Sequence, residues 1–144
     1  MQTVRQLLEA KSHHGIIHIG PDATVFQALQ LMADRDVGAV LVMEDDELVG
    51  IFSERDYARR IVLQGRTSAG THVRDIMTSR VVYVTPENTL DQCMALMTDK
   101  HIRHLPVMDA GKLIGLLSIG DLVRATIEEQ KFVIEQLVHY IQMA

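Results

Sequence analysis

The chain repeats itself. Residues 16–62 lie over residues 81–127 at a constant offset of 65, with no gap. Thirteen of these 47 positions are identical, where about three would match by chance in ordinary composition. A gapless repeat constrains the fold more than any single motif, because both copies must form the same supersecondary unit. The identities fall at positions with physical weight. Pro21/Pro86 and Thr24/Thr89 precede a periodic segment, and Gly50/Gly115, Ser53/Ser118 and Asp56/Asp121 close each copy. A shorter echo precedes each copy, Val4-Arg5-Gln6-Leu7-Leu8 and Val73-Arg74-Asp75-Ile76-Met77. Between the copies the chain is polar and glycine-bearing, which reads as a linker. The resulting division is 1–64 for the first repeat with an N-terminal helix, 65–72 for the linker, 73–127 for the second repeat and 128–144 for a helical extension.

Each copy has the pattern strand, helix, strand, strand, helix. Residues 16–19 and 81–84 are short apolar strands. Thr24 with Gln27, and Thr89 with Gln92, fit a capping box that satisfies two helix-start donors reciprocally. Val25, Ala28, Leu29 and Met32 then share one helix face, as do Leu90, Cys93, Met94 and Met97. Residues 39–43 and 48–52 form a hairpin around an acidic turn, with 113–117 as the counterpart of the second arm. Ser53 and Ser118 stand at a helix N-cap with Asp56 and Asp121 three residues on. One copy of under fifty residues buries too little surface to be stable alone. The fold class expected is therefore α/β (α+β), with two βαββα repeats packed sheet to sheet about a pseudo-two-fold axis.

Composition removes several function classes. The chain is 47% hydrophobic and 23% charged, which is ordinary for a globular protein. Its 14 Lys+Arg against 19 Asp+Glu give −5, so no general basic face for nucleic acid is expected. Aromatics at 4% argue against base-stacking platforms. No apolar run reaches membrane length, and the N-terminus lacks a secretory apolar region. One cysteine, Cys93, excludes an internal disulfide and a Cys-rich zinc site. The expected location is the cytoplasm.

The chemistry concentrates in Gly50-Ile51-Phe52-Ser53-Glu54-Arg55-Asp56 and Gly115-Leu116-Leu117-Ser118-Ile119-Gly120-Asp121. A carboxylate in a first helical turn is favoured by the helix dipole, and it can accept both hydroxyls of a ribose. These paired Gly-x-x-Ser-x-x-Asp motifs resemble those of cystathionine β-synthase-type (CBS) domains, which occur in pairs called Bateman modules. The resemblance runs from Val4 to about Ile127 and is closer still to stand-alone bacterial two-copy proteins, through Ser-Glu-Arg-Asp (53–56), Ile-Arg-His-Leu-Pro-Val (102–107) and Ser-Ile-Gly-Asp (118–121). It implies a cytosolic sensor of adenosine compounds: AMP, ADP, ATP, NAD(H) or S-adenosylmethionine. It also implies a homodimer, often a flat disc of four repeats, and two crossed clefts. Cleft one would join Ser53, Arg55 and Asp56 to Val82, Ile102, Arg103 and His104. Cleft two would join Ser118 and Asp121 to Ile17, Val37, Gly38 and Ala39. Arg103 and His104 should favour phosphate in cleft one, leaving cleft two with less charge and more room.

Plainer roles stand beside these. The Ser/Asp pairs could be helix caps alone. His13, His14 and His18 lack a carboxylate or cysteine at metal-ligand spacing and read as surface residues. Cys93 falls on an apolar helix face and reads as core. Residues 121–143 form a long helix candidate with a broken stripe of Ile127, Ile134, Leu137, Val138 and Ile141, suited to the N-terminal helix or, preferably, a second copy. The leading function is a regulatory ligand sensor with no catalytic chemistry, acting on a separate effector protein. The alternatives are a structural interaction module with vestigial clefts and, behind both, a nucleotide hydrolase. No metal, membrane or nucleic-acid partner is expected.

Overall fold

In the computed structural model, which describes residues 2–11 and 15–143, both copies form the elements that their patterns ask for. α1 (Val4–Ala10) precedes the first copy. That copy comprises β1 (His18–Ile19), α2 (Val25–Arg35), β2 (Ala39–Glu44), β3 (Glu47–Ser53) and α3 (Glu54–Tyr57), which runs into a π-helical turn, Ala58–Val62. A 3-10 turn, Val73–Asp75, leads to the second copy: α4 (Leu90–Lys100), β4 (His104–Asp109), β5 (Lys112–Ser118) and α5 (Ile119–Met143). The capping boxes of α2 and α4 are complete, with Thr24 and Thr89 accepting from the N3 amide and Gln27 and Gln92 reaching back.

The hairpins explain themselves from their turns. Asp45 and Asp46 both take positive φ, as do Ala110 and Gly111. Two consecutive left-handed residues match the twist of the flanking strands and close a two-residue hairpin. Both hairpins carry a register shift at the same place, after Val42 and after Val107. The first strands differ between copies. β1 pairs in parallel with β2, and the Leu41 amide donates to the Ile17 carbonyl at 3.2 Å. The strand expected at 81–84 reduces to one bridge, Val84 to Val107. Pro106 stands where Leu41 stands in the first copy and has no N–H to give, so the ladder loses its next rung.

Two compact units emerge, residues 15–82 and the described parts of 1–14 with 83–144. The repeats divide the chain differently, because the two echo segments dock away from the copies that they precede. In the first unit, Val25 donates to Thr71 (2.9 Å), Val73 to Ala23 (2.8 Å) and Arg74 to Pro21 (2.9 Å). In the other, Leu90 donates to Gln2 (2.9 Å), Val4 to Asn88 (2.8 Å) and Arg5 to Pro86 (3.1 Å). The two sets are the same three bonds at matching positions. The stretch expected as linker, 65–72, thus lies within the first unit, and α1 lies with the second copy.

The first unit buries Val25, Ala28 and Met32 of α2 against Val40, Val42, Phe52, Ile61, Val73 and Ile76. The second buries Val4, Leu90, Cys93, Met97, Leu105, Val107, Leu117 and Leu122. α5 packs on α4, β5 and α1. It buries Leu122 and Ala125, while every residue from Ile127 to Met143 is exposed. Of the two covers expected for the apolar stripe, α1 does not reach it, and the stripe stays exposed in this chain.

Candidate ligand-binding site

Each Gly-x-x-Ser-x-x-Asp motif crosses from the last strand of a hairpin into a helix start. The glycine is a packing requirement. A Cβ on Gly50 would meet Met77 Sδ at 2.5 Å and the Thr78 carbonyl oxygen at 3.1 Å, and one on Gly115 would meet Leu8 Cδ2 at 2.7 Å. In both units the echo segment lies on the motif's strand, so Met77 and Leu8 take equivalent places.

Ser53 caps α3. Its amide and hydroxyl donate to Asp56 Oδ2 at 3.0 and 3.1 Å, and the Asp56 amide returns to Ser53 Oγ at 3.3 Å. Thr78, from the docked echo segment, donates its hydroxyl to Asp56 Oδ1 at 3.3 Å. Arg60 secures that segment by donating to the Ile76 and Met77 carbonyls at 2.8 and 3.0 Å. Gly38 and Ala39 adjoin this start: the Glu54 amide donates to the Gly38 carbonyl at 3.0 Å, and Ala39 pairs with Ser53. Ile17 and Val37 are half-buried and pack on this unit's core. Arg55 is exposed.

The second helix start shares this cap but differs in charge. The Ser118 amide donates to Asp121 Oδ2 at 2.8 Å, and the Asp121 amide to Ser118 Oγ at 3.3 Å. Lys11 Nζ lies 3.0 Å from Oδ2 and donates to the Leu116 carbonyl at 2.6 Å. Arg124 lies 2.5 Å from Oδ1. Burial pushes the Asp121 carboxyl up, but the Ser118 bonds and Lys11 outweigh it, so the net shift is downward. His104 pairs with Ser118 across the hairpin, and the Ile119 amide donates to the Arg103 carbonyl at 2.8 Å. Burial, then the Lys11 charge, lowers the His104 pKa, with Arg103 adding and Asp121 opposing. Ile102 and Val82 are half-buried and Arg103 is exposed.

Within its own unit, then, Asp121 pairs with Lys11 and Arg124, and His104 stands across the hairpin from Ser118. The cations come from α1 and from the helix that the motif starts. Sequence reasoning missed Lys11 and Thr78. Their signal was the echo, since residues just beyond each echo reach a motif carboxylate. Both motif pairs are complete helix caps, the plainer of their two expected roles. Cys93 is buried, and burial pushes its thiol up to about 11. Among the described residues no cluster could hold a metal; His18 is exposed, and His13 and His14 lie outside the described residues. No described helix is long and apolar enough to cross a membrane.

The model of the CBS domain matches this chain twice, at residues 4–63 and 73–128. The chain belongs to the CBS-domain family. Among similar proteins, the mitochondrial CBS domain-containing protein CBSX3 of Arabidopsis thaliana is 45% identical over 126 residues, 84% of this chain. The chain spans 61% of that relative's length. YhcV of Bacillus subtilis is 36% identical over 104 residues, covering 72% of this chain and 74% of YhcV. Among solved structures, a protein with CBS domains from Burkholderia ambifaria is 51% identical, with a TM-score of 0.86 over 90% of this chain and 96% of the other. One from Agrobacterium tumefaciens is 36% identical, with a TM-score of 0.82 over 87% and 99%. The CBS pair is thus a regulatory-module fold, and the family indicates no enzyme.

Proposed function

We propose that this CBS pair is a cytoplasmic sensor of adenosine compounds, AMP or the AMP half of NAD(H) before ADP, ATP or S-adenosylmethionine, with Asp56 as its principal ribose acceptor. The supporting observation is the contrast between the two motif carboxylates. Asp56 accepts from hydroxyl and amide donors of Ser53 and Thr78, which a sugar diol can replace in kind. Asp121 is neutralised by Lys11 and Arg124, so a neutral diol there must displace a cation. Occupancy of the second helix start therefore favours ligands that bring their own negative charge, which Lys11 and Arg124 can follow. A CBS pair that is 18% identical is described in complex with 5′-methylthioadenosine and S-adenosylmethionine; that likeness reaches the fold alone. Ligand binding would act by differential affinity for two states, passed to a separate effector protein through a homodimer. The completeness of both capping boxes favours a second reading, an interaction module whose motifs are caps only.

A thermal-shift series with AMP, NAD, NADH, ATP and S-adenosylmethionine separates the two readings. A ligand at a hundred times its dissociation constant adds about 2.7 kcal/mol. The sensor reading expects a shift that Asp56→Ala abolishes and Asp121→Ala leaves largely intact. No shift from any of these ligands overturns it in favour of the interaction module.

A further inference from the structure

Segment 76–78, which lies on the motif strand of the first unit, has a partner for each of its backbone groups. The Ile76 and Met77 amides donate to the Val73 carbonyl at 3.1 and 2.9 Å. The Thr78 amide donates to the Ile51 carbonyl at 2.9 Å, and the Ile51 amide returns to the Thr78 carbonyl at 3.0 Å. The other two carbonyls, of Ile76 and Met77, accept from Arg60 Nη1 at 2.8 and 3.0 Å. A sheltered carbonyl without a donor is unfavourable, so the hold on this segment depends on one guanidinium. Arg60 sits where the helix widens. The Leu63 amide donates to the Ala58 carbonyl, five residues back, at 3.1 Å. Such π-helical turns are frequent at functional sites. Here Ile61 stays in the core at 1% exposure while Arg60, next to it, reaches the docked segment. The second copy has neither feature. α5 runs through the matching positions as regular α-helix, and a buried Ala125 stands in place of Arg60.

We propose that Arg60 is a positioning residue of the Asp56 site. Its guanidinium holds the Ile76 and Met77 backbone, that backbone carries Thr78, and the Thr78 hydroxyl donates to Asp56 Oδ1 at 3.3 Å. Ser53 holds Oδ2 with its amide and hydroxyl at 3.0 and 3.1 Å. The carboxylate is thus oriented at both oxygens, and an acceptor oriented in advance binds without a further ordering penalty. Gly50 belongs to the same arrangement, because its missing Cβ lets Met77 lie against the motif strand. The effect of Arg60 on a ligand rests on the reading of Asp56 as a ribose acceptor; its effect on Thr78 does not.

Amide exchange by NMR and AMP titration, both on the full chain, test the proposal. Arg60→Met keeps an unbranched apolar stem and loses the donors. Exchange at the Thr78 and Ile51 amides should quicken by about tenfold or more, with the β4–β5 amides unchanged. Arg60→Lys can still donate and should recover part of that protection. AMP should bind Arg60→Met roughly three- to tenfold more weakly. Thr78→Val should weaken AMP to a similar extent, and adding Arg60→Met to it should bring no further loss, because Arg60 acts through Thr78. Unchanged exchange at Thr78 in Arg60→Met overturns the proposal whatever AMP does. Losses that add in the double variant overturn it too, since Arg60 would then act by another route. If no adenosine compound shifts the melt of the intact chain, the adenosine reading falls, and the exchange result alone decides whether Arg60 positions Thr78 on Asp56. If Arg60→Met does not fold, Arg60→Lys is compared with the intact chain and judged by the same outcomes.

Discussion

Lys11 offers the sharpest test of how the second unit is held together. Its Nζ donates to the Leu116 carbonyl at 2.6 Å and meets Asp121 Oδ2 at 3.0 Å. The Lys11 side chain is 26% exposed and that of Asp121 only 9%. A pair this sheltered is weakly screened, and a hydrogen bond to a charged group contributes roughly 1.5–3 kcal/mol. Replacing Lys11 with Met keeps most of the aliphatic stem but removes both bonds. Asp121 keeps its Ser118 amide and Arg124, so it is not left as a bare buried charge. The loss should therefore sit at the low end, about 2 kcal/mol. The cycle of Lys11→Met with Asp121→Asn isolates the pair, and a coupling of about 1–2 kcal/mol is expected. Urea unfolding followed by helical circular dichroism reads all four proteins. The Asp121 carboxyl titrates below its ordinary value of 3.8, so its contribution is full above that value and disappears as pH falls through the lower folded one. The coupling should shrink over the same window. A coupling below about 0.3 kcal/mol at neutral pH, within the error of additivity, would refute the reasoning; so would a coupling that persists once Asp121 is protonated.

Further outcomes follow from the same contacts. His104 is held below its ordinary value of 6.5, so the unfolded chain binds a proton that the fold resists. Stability should be full above that value and decline as pH falls below it; His104→Gln should flatten the slope below pH 6.5 in urea titrations. Gly50→Ala should destabilise by about 1–3 kcal/mol, because the Thr78 carbonyl cannot rotate away. Gly115→Ala should cost less than Gly50→Ala in the same melts, because it meets only the flexible end of Leu8. Phe52→Ala should cost about 3–5 kcal/mol in urea unfolding, as its ring is fully buried in the first unit's core.

The elements legible in the sequence are those set by neighbours in the chain. A capping box needs two residues three apart, and both Thr-x-x-Gln boxes form as their spacing requires. The hairpins and the long α5 are equally local. Misreadings arise where distant residues decide. The strand expected at 81–84 had the right apolar character, but its ladder depended on a donor at residue 106, where proline stands. Nothing local in the sequence marks Lys11, because its partner lies 110 positions away in the chain.

The echo segments show why the repeat was informative and still incomplete. Self-similarity told which residues are equivalent, and the bonds of Val73 to Ala23 and Val4 to Asn88 honour that equivalence. It could not tell which copy each echo serves, since the same three-bond clasp fits either helix start. The clasp also brings different residues to the two motifs: Thr78 to Asp56, Lys11 to Asp121. A hydroxyl leaves a carboxylate its full charge, whereas an ammonium cancels it. One duplicated scaffold thus presents two carboxylates in opposite electrostatic settings. The asymmetry comes from docked segments outside the motifs, so the duplicated motif residues could not reveal it.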